Sequence, residues 1–221
     1  MKVVIIGNSD FAKLMQGYIE DTEGMEPVAF SVEEKYISSK KLKGLPVISY
    51  EEIADVYDTE EVRLVMAVGY AQMGDVKKRL FEMYRSKGYM FTNYIHPSVI
   101  IPDDLVIGTG NSIFEGTIIC RQSSIGNCNL LWGGSLIGHD NVIGDYNTLS
   151  ACVTTNGKVV ISDNCFLGSK SVVRNGVHLS SYVLVGATAY VDQDLTENSV
   201  VLPPKGVVME GKGAKLLCDK I

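Results

Sequence analysis

Residues 107–143 read IGTGNSIFEGTIICRQSSIGNCNLLWGGSLIGHDNVI, and every sixth residue from Ile107 is aliphatic: Ile113, Ile119, Ile125, Leu131, Ile137, Ile143. The beat runs outward in both directions. It begins at Ile95 and Ile101 and continues through Leu149, Thr155, Ile161, Leu167, Val173, Leu179 and Val185 to Val191. Thr155 alone is not aliphatic. Glycine often follows, as at Gly108, Gly126, Gly138, Gly144, Gly168 and Gly186. A period of six fits neither a 3.6-residue helix nor a hairpin meander, and a sandwich would show turn signals without fixed phase. It is the hexapeptide signature of a parallel β-helix. One hexapeptide gives a short strand and a turn, and three close a triangular coil of about eighteen residues. Each aliphatic points into the prism. One coil cannot bury these side chains, but stacked coils share a continuous core.

The rest of the composition fits a globular chain. It has 221 residues, 46% hydrophobic and 21% charged, enough apolar matter for one or two cores. The formal charge is −6, with 26 acidic and 20 basic residues and no basic run, which speaks against nucleic acid. No apolar run reaches the length of a membrane span. Met1-Lys2-Val3 leads straight into a strand, with no secretory signal. Five cysteines, Cys120, Cys128, Cys152, Cys165 and Cys218, show no C-x-x-C spacing. Together these features predict a reducing, cytoplasmic setting.

The first 92 residues alternate strand and helix, the pattern of a small doubly wound parallel sheet. Val3-Val4-Ile5-Ile6 is a strand buried on both faces. Phe11, Leu14, Met15, Tyr18 and Ile19 have helical spacing, so a helix runs from Asp10 to Glu20, capped by Ser9 or Asp10. Pro27–Phe30 and Arg63–Val68 are further strands. Ser31–Lys43 is a polar loop, Tyr50–Val56 a short helix, and Gln72–Lys87 a longer one closed by Gly88. Phe91–Tyr94 is a last strand before the coils. The division is then 1–92 α/β domain, 93–200 β-helix and 201–221 tail.

Ligands of parallel sheets sit beyond the carboxyl ends of the strands. That places Gly7-Asn8-Ser9, Ser31-Val32-Glu33 and Gly69-Tyr70 around one crevice. A glycine after the first strand with a helix opening behind it is a seat for phosphate. The loop reads G-N-S-D-F-A and not G-x-G-x-x-G, so the dinucleotide fingerprint is incomplete and a single nucleotide suits it better. A scaffold domain without ligand is the alternative.

In the coils, His139 stands two residues after Ile137, between Gly138 and Asp140, so its imidazole should project from a corner. There it can take a proton near neutral pH, with Asp140 or Glu115 as the carboxylate that fixes its tautomer. Gly157 lies one coil later and should leave backbone and space for a thin ligand. A solvated turn histidine is the plain alternative. The three histidines, His96, His139 and His178, differ by 43 and 39 residues, not by multiples of eighteen, so no shared metal is expected.

These residues carry a resemblance. VVIIGNSDFA (3–12), AVGYAQM (67–73), YIHPSV (94–99), NSIFE (111–115), LWGGSLIGHD (131–140) and NCFLGSKSVVR (164–174) resemble the hexapeptide-repeat sugar acyltransferases with an N-terminal nucleotide-sugar-binding domain. These include sialic-acid O-acetyltransferases and the N-acetyltransferases of the bacillosamine, viosamine and perosamine pathways. The resemblance implies a left-handed coil, a homotrimer with sites between subunits, and acetyl-CoA as acyl donor. It implies transfer to the amine of a UDP-, dTDP- or GDP-linked sugar, with His139 as general base, Asp140 as its partner and Glu115 near the amine. Sugar O-acetylation and a non-catalytic trimeric scaffold are the alternatives. Substrate contacts are expected at Gly7, Asn8, Ser9, Ser31, Gly69 and Tyr70. The donor should run past Gly157, Gly168, Ser169, Gly186 and Ala187, with Lys170 and Arg174 near its phosphates.

Overall fold

A computed structural model describes residues 1–206; Cys218 and the rest of the tail from 207 onward lie outside the described residues. The amino-terminal half holds a five-stranded sheet of order β3-β4-β2-β1-β5. Its elements are β1 (Lys2–Ile6), α1 (Asp10–Glu20), β2 (Glu26–Val32), β3 (Lys41–Leu42), β4 (Leu45–Ser49), α2 (Ile53–Val56), β5 (Val62–Met66) and α3 (Asp75–Ser86). All pairings are parallel except the β3–β4 edge. Val3, Val4, Ile5 and Ile6 are fully buried, because β1 lies between two strands with side chains packed on both faces.

Several expected boundaries move. Leu45–Ser49 is a further strand, and the helix expected from Tyr50 shrinks to Ile53–Val56. The helix expected from Gln72 starts at Asp75, because Gln72, Met73 and Gly74 take left-handed backbone angles. Ser9 occupies the cap position of α1 but makes no side-chain capping bond. Phe91 forms only a bridge to Leu64, and the strand falls at Tyr94–Ile95.

From Tyr94 the chain winds as a triangular prism. Face I stacks strands at 94–95, 112–113, 130–131, 148–149, 166–167, 184–185 and 200–201. Face II stacks 118–119, 136–137, 154–155, 172–173 and 190–191, and face III stacks 106–107, 124–125, 142–143, 160–161 and 178–179. Up to 190–191 each strand pairs in parallel with one eighteen residues away, for example Leu131 with Ile113 and Leu149. The aliphatics from Ile113 to Val191 form the inner core, and Thr155 is buried among them. Ile101 differs: it is 39% exposed, below the first full coil, where no neighbour covers it.

A second inward row lies two residues before each aliphatic. It is polar at Asn111, Asn129 and Asn147 and apolar at Val153, Val159, Val177 and Val183. The asparagines form a ladder in which Asn111 Oδ1 accepts from Asn129 N at 2.8 Å and Asn129 Oδ1 from Asn147 N at 2.9 Å. Buried corner amides are thereby satisfied in series. Corners turn through one left-handed residue every six, including Cys128, Asp140, Tyr146, Cys152, Asn164 and Lys170. After Val191 the step shortens: Leu195 bridges Leu179 and Val201 pairs with Val185, both sixteen residues apart.

The α/β half packs on face I and the edge between faces III and I. Phe114, Leu130 and Trp132 join the core of β1 and α1, while Cys128 and Tyr146 join the core beneath α3. Lys77 of α3 is 1% exposed, and its Nζ donates to Asn147 O at 2.9 Å and Thr148 Oγ1 at 3.2 Å. Burial without a carboxylate partner pulls its pKa down to about 7.

Candidate functional site

His139 sits on the edge between faces II and III, where the chain leaves the strand at 136–137 and enters that at 142–143. Its side chain is 59% exposed, outside the prism. Its Nδ1 lies 2.6 Å from Asp140 Oδ2. Asp140 reaches that position because it is the left-handed corner residue, φ 57°, which turns its carboxylate back onto its neighbour. An ionised carboxylate has no proton to give, so Nδ1 carries the hydrogen and Nε2 is left as the base. Gly157 lies one coil on, directly beneath. A Cβ there would stand 2.4 Å from His139 Nε2 and 2.9 Å from Asn175 Oδ1. The space expected for a ligand is thus taken by the imidazole itself, and the glycine lets the ring lie against the coil.

Glu115 is not at this site within one chain. It lies on the edge between faces I and II, where the Tyr18 hydroxyl of α1 donates to its Oε1. Burial would raise the Glu115 carboxyl, but the Tyr18 hydroxyl, a backbone N–H and nearby His96 outweigh it and hold it below the usual range. The Tyr18 phenol is pushed up to about 12, chiefly by that same bond. His96 bonds Ser98 Oγ at 2.8 Å, and His178 faces Ser162 Oγ at 3.2 Å, so the three histidines hold three separate places.

Gly168, Ser169, Lys170, Gly186 and Ala187 share the Glu115 edge, away from Gly157 and His139. Gly168 permits close stacking there: a Cβ would stand 2.4 Å from Ala187 N. Lys170 is an exposed corner residue, φ 59°. Arg174, on the His139 edge, bonds Asp192 O at 3.3 Å.

The crevice lies where the topology puts it, beyond the carboxyl ends of β1, β2 and β5, with a volume of about 530 Å³. Gly7, Asn8, Ser9, Ser31, Glu33 and Gly69 line it as expected. Gly7 takes φ 123° with Ala67 O 2.7 Å from where a Cβ would stand, which demands glycine. The Ser31 hydroxyl is spent on Tyr84 OH at 2.8 Å, so Ser31 offers the crevice its wall and not its side-chain oxygen. Tyr70 does not line the crevice; its ring packs 4.9 Å from that of Phe166 on face I. Sequence reasoning missed Lys35 and Arg79, which do line it. Arg79 Nη2 bonds Glu33 Oε2 at 2.8 Å and holds that carboxyl below its usual range. Both cations come from turns of helix without a motif, so only opposite charge to Glu33 could have flagged them.

Solved structures share this fold. The structure of PerB from Caulobacter crescentus in complex with CoA and GDP-perosamine matches with a TM-score of 0.81 at 24% identity, over 92% of this chain and 94% of that one. The fold is therefore a left-handed parallel β-helix behind an α/β half. The acetyltransferase domain of PglB from Neisseria gonorrhoeae matches at 0.78 with 20% identity, over 91% and 96% of the two chains. WeeI from Acinetobacter baumannii matches at 0.75 with 22% identity, over 92% and 97%. No protein-family model matches the chain, and no curated protein matches it in sequence. Among the described residues, no helix is long and apolar enough to cross a membrane, and no three metal-ligating side chains cluster.

Proposed function

We propose that this protein transfers an acyl group, acetyl in the first instance, from acyl-CoA to the amine of a nucleotide-linked amino sugar. The observation that carries the reading is the exposed His139–Asp140 pair, 2.6 Å apart on a bare prism edge. The like-folded PerB, which holds CoA and GDP-perosamine, supports the choice of substrates.

In this reading the crevice takes the nucleotide. The loop after β1 and the opening of α1 receive phosphate, and Lys35 and Arg79 bring positive charge. The amine lone pair attacks the thioester carbonyl carbon while His139 Nε2 takes the amine proton. A coil N–H, that of Gly157 foremost, holds the oxyanion. The C–S bond then breaks, and the departing thiolate takes the proton back from the imidazolium. No acyl-enzyme is needed, because the reactants meet directly.

The site needs a second copy of the chain. His139 stands on the edge opposite face I, while the crevice belongs to the half packed on face I. Faces II and III carry outward aliphatics: Ile118 is 39% and Leu136 37% exposed on one, Val106 70% and Val142 48% on the other. Such faces suit association into a trimer, with the donor between the edge of Gly168 and Gly186 in one copy and the His139 edge of the next.

The test is thiol release from acetyl-CoA with UDP-, dTDP- and GDP-linked 3-amino and 4-amino sugars. The reading expects turnover with at least one amine and none with the corresponding hydroxyl sugars. Turnover with hydroxyl sugars alone, or with no sugar at all, overturns it.

A further inference from the structure

The segment that joins β5 to α3 faces both halves of the molecule. Gly69, Ala71 and Gln72 line the crevice. Tyr70, between them, turns the other way: it is 61% exposed, with its ring tilted 59° against Phe166 of the prism. A single exposed tyrosine is ordinary on a protein surface. This one stands beside backbone that L-residues disfavour. Gln72 (φ 51°, ψ 46°) and Met73 (φ 51°, ψ 30°) are consecutive left-handed non-glycine residues, and Gly74 follows at φ 93°.

The prism holds this conformation in place. Asn164 Nδ2 donates to Met73 O at 3.0 Å, and Tyr182 OH donates to Asp75 Oδ1 at 2.8 Å. Gly74 is pressed so close that a Cβ would stand 2.6 Å from Tyr146 O. The loop is therefore set from the coil side while its other side borders the crevice. Strain held by surrounding contacts is typical of ligand clamps.

We infer that Tyr70 and Phe166 form the platform on which the hexose ring of the nucleotide sugar lies as it leaves the crevice. The inference rests on the function proposed above. A hexose presents an apolar C–H face bounded by hydroxyls, and a half-exposed aromatic pair complements that face without holding the nucleotide. The strained loop fixes the platform relative to the crevice, so it positions the sugar and leaves the base and phosphates to other groups.

Calorimetric titration decides this with three ligand pairs: UDP and UDP-glucose, GDP and GDP-mannose, dTDP and dTDP-glucose. In the unaltered protein the hexose strengthens binding of the accepted nucleotide. Tyr70→Ala and Phe166→Ala leave the diphosphate within twofold and weaken the hexose-linked form at least fivefold; Tyr70→Phe binds like the unaltered protein. If Phe166→Ala melts early, the exposed Tyr70→Ala decides alone. The platform is overturned if both ligands of a pair weaken alike, if neither changes, or if the hexose adds nothing in the unaltered protein. Failure of all three diphosphates to bind the unaltered protein removes the proposed function, and the platform with it.

Discussion

The two halves of the chain are specified in different ways. In the prism a residue's role follows from its phase. Two positions in six point inward and one turns left-handed, and on one corner the second inward position carries the amide ladder from Asn111 to Asn147. The α/β half has no period, and its ties to the prism are singular. Lys77 reaches Asn147, Tyr18 reaches Glu115, and Phe11 of α1 packs on Trp132 with ring centroids 5.4 Å apart. Repetition builds the wall, and unrepeated contacts fix the α/β half and its crevice against it.

The sharpest break of this contrast is a change of one inward aliphatic. Leu149→Ala opens a cavity between coils that stacked neighbours cannot close, and about 2–5 kcal/mol of stability should be lost. Chemical denaturation measures it; a loss below about 1 kcal/mol would mean the coils repack and phase matters less.

Lys77 tests the singular kind of tie. Its folded pKa of about 7 lies below that of an unfolded lysine, so the native state binds the proton less readily than the unfolded chain. The destabilisation is full below pH 7 and fades as pH rises toward about 10. Unaltered protein should therefore gain on the order of 3 kcal/mol relative to Lys77→Met between pH 7 and 10. Parallel stability curves for the two proteins would show that burial does not lower the Lys77 pKa.

A smaller effect separates seat from wall. Gly157→Ala puts a methyl group where His139 Nε2 now lies, 2.4 Å away. Turnover should fall roughly tenfold through the displaced imidazole, with the melting temperature little changed. Equal loss of stability and turnover would make Gly157 a stacking glycine only.

The same contrast explains what the sequence could reveal. The six-residue beat announced the coil, because an inward row of aliphatics survives any corner chemistry. The second inward row stayed hidden, because polar residues break its apolar signal, among them Asn129 and Ser123, whose side chains bond backbone groups. The left-handed Gln72 and Met73 gave no sign, since neither residue type favours that region. In the site, the strand-end rule placed Gly7 and Ser9 correctly but misplaced Tyr70, whose direction depends on that left-handed turn. Glu115 was legible as a corner carboxylate, but not the edge it occupies. It stands 24 residues before His139, one coil and one face away, which puts it on another edge of the same chain.

The central claim is that one imidazole on an exposed edge serves as the base of acyl transfer. Its most direct test is the initial rate of thiol release from acetyl-CoA by His139→Ala beside unaltered protein, on the amino sugar that turns over fastest. A fall of 10²- to 10⁴-fold with an unchanged melting curve is the expected result. Full turnover by the variant would contradict the account and leave the prism without its assigned base.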